Sequence, residues 1–324
     1  MNSHSNTVKY VSLLFSLGFL LAVPYAAFYT GEVHVFGDWF RILFSPCPLV
    51  TDYYLLGSLP AAFLNASACG LACTIMFFRL KGDYGPANWA GYFLVVAHCF
   101  YGLNFINMWP PVLGILLYCR TTKVRFRDNL DVAMMSTAFG PFISEILFRY
   151  PLESKILLHV GPYSINVMGI FLSLLLGLFL GYAIPAMLPG AKLLHKGFNL
   201  YNGGLAFGLL GLFVFSFMYR TMGVNPPESV VLHYAVYEAN GKSYMGFCNA
   251  FFLVIFAVCI LTGYFINGKS FRGYLRLLQD TGHNANFLKE YGDGVTWIKL
   301  GVYGIFMVLY FDAIVTFTDG AGWT

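Results

Sequence analysis

Residues 101–111 read Tyr-Gly-Leu-Asn-Phe-Ile-Asn-Met-Trp-Pro-Pro, and apolar sequence flanks them on both sides. Asn104 and Asn107 therefore stand next to Pro110 and Pro111 where a membrane-embedded chain should form a regular helix. Lipid cannot hydrogen-bond the backbone groups that a proline pair frees, so such a break is tolerated only inside protein or beside a water-filled cavity. The stretch predicts a broken element, which is typical of the midplane site of a transporter.

The composition excludes a soluble domain, because 58% of the 324 residues are hydrophobic, 19% are aromatic and only 10% are charged. Several apolar units approach the ~20 residues that cross a bilayer. They cover approximately residues 10–30, 53–78, 89–119, 130–148, 162–188, 198–219, 245–266 and 294–318. We predict an all-α polytopic membrane protein in a single transmembrane domain, with about seven spanning helices and a re-entrant third unit.

The basic residues indicate the orientation. If the third unit re-enters and the N-terminus is cytoplasmic, most of the 19 lysines and arginines fall in cytoplasmic loops. If the third unit crossed once, this bias would largely disappear. The net charge of +4 is spread over short loops, and we find no basic stripe, cofactor motif or metal-ligand spacing. No cofactor, metal or nucleic-acid partner is predicted.

Two other units contain polar residues within apolar sequence. Pro60 and Asn65 fall in the second unit, which predicts a kinked or discontinuous helix; Asn65 either lines a pathway or hydrogen-bonds a neighbouring helix. In the fourth unit Pro141 should break the helix, and Glu145 follows among apolar residues. An intramembrane carboxylate is a functional candidate. The alternative is an interfacial Glu145 paired with Arg149.

The sixth unit repeats the three-residue spacing of the first asparagine pair with Asn199 and Asn202. In the predicted topology the second and sixth units run in opposite directions, as an inverted repeat requires. Residues 51–190 would form the first repeat and 191–324 a partial second one. The alternative is an interfacial start to a tightly packed helix.

Two patterns indicate packing. Ser173, Gly177 and Gly181 recur at intervals of four in the fifth unit, and small residues at this spacing let helices approach closely. The seven cysteines lie mostly within apolar runs, where we expect them to pack as small hydrophobic side chains.

Three motifs carry a resemblance to a known family. They are 105–114 (FINMWPPVLG) with Tyr118, 137–141 (TAFGP) with Ser144 and Glu145, and 197–202 (GFNLYN). Together they resemble the bacterial membrane proteins of domain-of-unknown-function family 1576. The resemblance implies a multi-spanning protein of the bacterial cytoplasmic (inner) membrane and no established activity. Members continue with a further Asn–Pro segment, so the resemblance implies a truncated or divergent member with an incomplete second half. Broken helices of this kind are also similar, at the level of fold alone, to urea-transporter-like channels.

These observations favour a channel or transporter for a small polar solute or ion, with the bilayer and a homo-oligomer as further expected partners. The shortage of buried charge favours a neutral solute or a passive channel. The predicted pathway residues are Asn65, Asn104, Asn107, Trp109, Pro110, Ser144, Glu145, Asn199, Tyr201 and Asn202. The alternative is a non-transporting scaffold or sensor, or an intramembrane enzyme. The longest loops, of about 25 residues, are short for a scaffold, and His98 and Glu145 are the only candidates for catalysis.

Overall fold

The computed structural model describes residues 3–47, 51–149, 154–161, 163–195, 202–221, 238–280 and 286–317. The α-helices in these ranges are α1 (Ser3–Thr30), α2 (Val35–Leu43), α3 (Tyr53–Leu56), α4 (Leu59–Leu80), α5 (Pro86–His98), α6 (Trp109–Thr121), α7 (Leu130–Ser136), α8 (Gly140–Phe148), α9 (Val167–His195), α10 (Asn202–Ser216), α11 (Tyr244–Ile266), α12 (Tyr274–Leu278) and α13 (Phe287–Phe317). Two antiparallel hairpins pair β1 (Ile156–Val160) with β2 (Tyr163–Asn166) and β3 (Glu238–Ala239) with β4 (Lys242–Ser243).

Seven helical stretches of the described chain are long and apolar enough to cross a membrane. They are Asn6–Thr30, Leu59–Leu80, Phe126–Phe148, Val167–Ala191, Gly203–Arg220, Tyr244–Ile266 and Phe287–Val315. The prediction of an all-α polytopic membrane protein is confirmed. The division into two repeats stays a prediction.

The third apolar unit is divided into α5 and α6, of 13 residues each. At 1.5 Å per residue each helix is about 20 Å long, too short for a hydrocarbon core of about 30 Å. The loops before and after this unit meet, because a Cβ on Gly82 would lie 3.2 Å from the carbonyl oxygen of Arg127. The chain therefore enters and leaves the third unit on one face of the protein. We call it the N-terminal face, since Lys9 lies 5.8 Å from the Tyr84 ring there.

The direction of α5 follows from its contacts with the spanning stretch Phe126–Phe148. A Cβ on Gly91 would lie 3.0 Å from the carbonyl oxygen of Asp131, and a Cβ on Gly102 would lie 2.9 Å from Pro141. The residue numbers of the two contacting segments increase in the same direction. Helix α5 therefore runs parallel to this stretch, away from the N-terminal face. The stretch leads to the β1–β2 hairpin, and we call that side the hairpin face.

The direction of α6 follows from α9, which begins at the hairpin face. Pro110 contacts Gly177, and Gly114 contacts Gly181, so α6 and α9 advance together by four residues and run parallel. Because α9 runs back towards the N-terminal face, so does α6. The predicted re-entrant element is confirmed: α5 rises into the protein, residues 99–108 form the turn, and α6 returns.

Two prolines start helices. Pro141 lies in the first turn of α8, directly after a 3₁₀ turn at Thr137–Phe139, so the predicted break at this position is confirmed. Pro60 lies in the first turn of α4, where its missing N–H has no helical partner to lose. The helix then continues without interruption to Leu80. The second unit was predicted to be kinked or discontinuous, and it is discontinuous: α3 ends at Leu56 and α4 begins at Leu59, so the interruption lies just before Pro60.

Glycines set the closest helix contacts. The predicted packing role of the fifth unit is confirmed, because Gly177 and Gly181 lie directly against Pro110 and Pro111 of α6. In the same way α11 and α13 meet at Gly263, whose added Cβ would lie 2.7 Å from the carbonyl oxygen of Gly294. Small residues at such contacts let backbones approach where hydrophobic burial gives no advantage over lipid. All seven cysteines are buried, as predicted.

Candidate functional site

The turn of the re-entrant element lies deep in the protein, where its carbonyl oxygens need internal partners. The Asn65 side chain on α4 donates from Nδ2 to the carbonyl oxygens of Cys99 and Leu103, both at 2.8 Å. The Phe100 carbonyl accepts from the backbone N–H of Tyr53 at 3.0 Å. Side chains and backbone from neighbouring elements therefore replace the helical hydrogen bonds that the break removes.

Asn104 and Asn107 bind each other's backbone. The Oδ1 atom of Asn104 accepts from the N–H groups of Ile106 at 2.9 Å and Asn107 at 3.0 Å. The Oδ1 atom of Asn107 accepts from the Asn104 N–H at 2.8 Å. This reciprocal pair is the side-chain form of a turn, for which asparagine is well suited.

The amide nitrogens of the same pair reach neighbouring elements. Asn104 donates from Nδ2 to the carbonyl oxygen of Ile42 at 3.0 Å, in the last turn of α2. Asn107 donates from Nδ2 to the carbonyl oxygen of Gly102 and to Oγ of Ser144, both at 2.9 Å. The asparagine pair thus joins the turn to the C-terminal end of α2 and to α8.

Glu145 lies one residue beyond Ser144 on α8 and is 1% exposed. Its Oε2 atom accepts from Nη1 of Arg149 at 2.9 Å and from the Tyr219 hydroxyl at 3.0 Å. Its Oε1 atom is buried and has no hydrogen-bond partner among the described residues. Tyr219 lies in a π-helical turn, Phe217–Thr221, that continues α10, and such turns are frequent at functional sites.

Cys47 connects the polar residues of this region. Its thiol lies 3.0 Å from the Tyr53 hydroxyl. Burial raises the pKa of the Cys47 thiol to about 12, hydrogen bonds with Tyr53 and Ser144 lower it, and the charge of Glu145 raises it. The thiol is therefore protonated at neutral pH and acts as a hydrogen-bonding group.

The structure brings together Asn65, Asn104, Asn107, Ser144 and Glu145 of the predicted pathway residues. Trp109 and Pro110 lie next to them at the start of α6, half-buried. Trp109 packs edge-to-face on Phe105, with 5.8 Å between ring centroids. Asn199 and Tyr201 lie outside the described residues, and Asn202 begins α10 without a described side chain.

Several residues of this region were not predicted from the sequence. Cys47, Tyr53 and Tyr219 join it from elements that are distant along the chain, and no local pattern marks them. Asp312 on α13 was also missed, although a carboxylate inside an apolar unit is a visible signal. It accepts from Nδ2 of Asn249 at 2.7 Å, beside a groove of about 440 Å³ between α11 and α13.

The described side chains include no group of three His, Cys, Asp or Glu residues that could hold a metal ion. The polar cluster around Glu145 therefore offers hydrogen-bonding groups and one carboxylate.

Comparison with known proteins gives one family. Residues 32–220 match the family model described as "Protein of unknown function (DUF1576)". No curated protein and no solved structure matches the chain. The matched range is more than half of the chain and contains the re-entrant element and Glu145. The chain therefore belongs to the DUF1576 family of proteins of unknown function.

Proposed function

We propose that the protein is a channel or transporter that carries a small polar solute or an ion past the re-entrant element. The observation that supports this proposal is the buried carboxylate of Glu145, which has one oxygen without a partner among the described residues. A charged side chain inside the membrane costs at least ~2.5 kcal/mol near the centre of a helix. A half-satisfied carboxylate is therefore expected where binding requires it rather than where packing does.

A line of polar groups supports the same proposal. Arg149 is partly exposed at the hairpin face and binds Glu145. Ser144 on the same helix accepts a hydrogen bond from Asn107. Asn107 lies in the turn of the re-entrant element, where it also donates to the Gly102 carbonyl oxygen. These groups lead from one surface to the middle of the protein, where we expect the solute to be desolvated. Asn199 and Tyr201, which lie outside the described residues, and Asn202, which begins α10, stay predicted members of the path.

We further propose that the N-terminal face is cytoplasmic and that the membrane is the bacterial cytoplasmic membrane. The last turn of α6 carries Arg120, the segment after it carries Lys123, Arg125 and Arg127, and this segment lies on the N-terminal face. Short loops rich in lysine and arginine stay on the cytoplasmic side. The homo-oligomer stays a prediction.

The second candidate is a non-transporting membrane protein, such as a scaffold or sensor. The observation that favours it is the use of the amide groups of Asn104 and Asn107 by the backbone around the break. Amides that hold a turn in place are not available to a passing solute. On this alternative the cluster serves stability alone.

Reconstituted vesicles distinguish the two candidates. We expect vesicles that contain the full chain to pass at least one member of a panel of small solutes and ions faster than empty vesicles. Glu145→Gln should reduce this flux about tenfold or more, because hydrogen bonds to a charged group contribute ~1.5–3 kcal/mol. The matched control is Glu238→Gln, an exposed carboxylate that should leave the flux unchanged. Wild-type vesicles that pass no member of the panel would contradict transport.

A further inference from the structure

We propose that Glu145 is a binding site for a small organic cation with several N–H donors, of the guanidinium or ammonium class, and that Arg149 occupies this site as a tethered cation. The inference rests on the proposed function and names its substrate class. It replaces the expectation of a neutral solute, which was based on the scarcity of buried charge in the sequence.

The geometry of the Glu145–Arg149 pair leaves one of the two carboxylate oxygens without a hydrogen bond from Arg149. Arg149 is four residues beyond Glu145 on the same helix, and Nη1 reaches only Oε2. A guanidinium group can bind both oxygens of a carboxylate through two parallel hydrogen bonds. Oε1 has no partner among the described residues. A free guanidinium ion, which no side chain restrains, could use both oxygens.

The charge of the site favours a cation over other ligands. The Nη1 atom of Arg149 lies 2.9 Å from Oε2 of Glu145. Arg149 is therefore the cation that compensates the buried carboxylate of Glu145. Removing one partner of a buried pair leaves an uncompensated charge, which is strongly destabilising. If Arg149 leaves, a proton or another cation must compensate the carboxylate, and exchange for a cation conserves the charge of the site.

The two partners differ in their access to water. The Arg149 side chain is 26% exposed, whereas the Glu145 side chain is 1% exposed. Arg149 is also the residue that ends α8 at the hairpin face. Movement of this side chain towards solvent would open a cavity of the size of a guanidinium group directly beside Glu145. We therefore expect the cation to enter from the hairpin face.

The other described partner of the carboxylate is a neutral hydrogen-bonding group: the Tyr219 hydroxyl donates to Oε2 at 3.0 Å. The guanidinium group of Arg149 already binds this carboxylate, which favours a cation that carries N–H donors of the same kind.

The test is chemical rescue of the purified full chain in detergent, read as the melting temperature. Arg149→Ala should melt well below the wild type. Guanidinium chloride at low millimolar concentration should raise its melting temperature by several degrees over sodium chloride at the same ionic strength. The double variant Arg149→Ala with Glu145→Gln should show no such rise. Arg41→Ala is the matched control, because its guanidinium pairs with Asp38 at 3.4 Å but is 59% exposed; guanidinium should not stabilise it.

Rescue that is absent from Arg149→Ala, or equal in the double variant, would overturn the proposal. If Arg149→Ala cannot be purified, Arg149→Lys takes its place, because the shorter ammonium group leaves room for guanidinium at Oε1. Guanidinium must then stabilise Arg149→Lys more than sodium does, and a negative result is again decisive. The melting experiment needs no transport. Rescue without flux would refute transport and support the cation site. Flux without rescue would support transport and refute the cation site.

Discussion

At the scale of single residues, asparagine side chains supply the hydrogen bonds that the backbone groups of a broken helix would otherwise make with water. Each asparagine side chain carries two donors and an acceptor with two lone pairs. Asn107 uses its oxygen for one backbone N–H and its nitrogen for a backbone carbonyl and the Ser144 hydroxyl. A leucine of similar size could fill the space and satisfy none of these groups.

We therefore expect Asn107→Leu to destabilise the protein. The change leaves the Asn104 N–H and the Gly102 carbonyl without partners, and each unsatisfied buried group costs ~1–3 kcal/mol. The melting temperature in detergent should fall, and flux in vesicles should fall in proportion to the folded fraction.

Ser144→Ala is the matched control for this change. It removes one acceptor of Asn107, whose nitrogen keeps its bond to the Gly102 carbonyl. Its melting temperature should therefore fall less than that of Asn107→Leu. An unchanged melting temperature with abolished flux in Asn107→Leu would show instead that this amide acts on the solute.

At the scale of elements, the re-entrant pair makes a prediction about accessibility. Asp83 precedes α5 and Thr122 follows α6, and both are exposed on the N-terminal face. Cysteines at these two positions should react with an impermeant thiol reagent from the same side of the membrane. In intact cells, with the N-terminal face cytoplasmic, both should resist a reagent added outside.

Lys155→Cys supplies the opposite control, because it is exposed beside the β1–β2 hairpin and should be labelled from outside. The native cysteines are buried and should contribute little background. Labelling of Asp83→Cys but not Thr122→Cys, or the reverse, would show that the third unit crosses the membrane.

The contact between α6 and α9 allows a second test at this scale. A Cβ on Gly181 would overlap the Pro111 carbonyl oxygen, which is part of the backbone and cannot move aside alone. Gly181→Ala should therefore separate the two helices and lower the melting temperature, since overpacking typically costs ~1–3 kcal/mol. Gly190→Ala in the same helix meets nothing within 4 Å and should be neutral or slightly stabilising. Equal melting temperatures for the two variants would contradict this close contact.

An element could be predicted from the sequence where neighbouring residues along the chain determine it, and could not where distant residues do. Asn104, Pro110 and Pro111 interrupt an apolar run, and the lipid environment makes such an interruption decisive, so the re-entrant element was predictable. The choice between a kink and a discontinuity at Pro60 could not be made, because a proline in the first turn of a helix and one in its middle look alike between apolar flanks. The partners of Glu145 were only partly accessible: Arg149 is four residues away, whereas Tyr219 approaches through the tertiary fold.

At the scale of the whole molecule, an aromatic cluster joins α11 and α13 to the part of the chain that contains the re-entrant element. Phe19 on α1 lies at its centre, with ring centroids 5.0 Å from Phe251 of α11, 5.4 Å from Phe63 of α4 and 5.7 Å from Phe100 in the turn. One side chain thus contacts the re-entrant turn, a spanning helix next to it and the α11–α13 pair. Dispersion and edge-to-face contacts must hold these parts together, because lipid is as apolar as phenylalanine.

Phe19→Ala should therefore weaken the attachment of α11 and α13 to the rest of the protein. Truncating a buried phenylalanine typically costs ~3–5 kcal/mol, because the surrounding groups relax only partly into the cavity. We expect the melting temperature to fall by about ten degrees, since 1 kcal/mol corresponds to ~2–4 °C in domains of about 150–250 residues. Phe28→Ala on the same helix is the matched control: Phe28 is 90% exposed and its loss should change stability little. If the two variants melt together, contacts of α1 other than the Phe19 ring hold the α11–α13 pair in place.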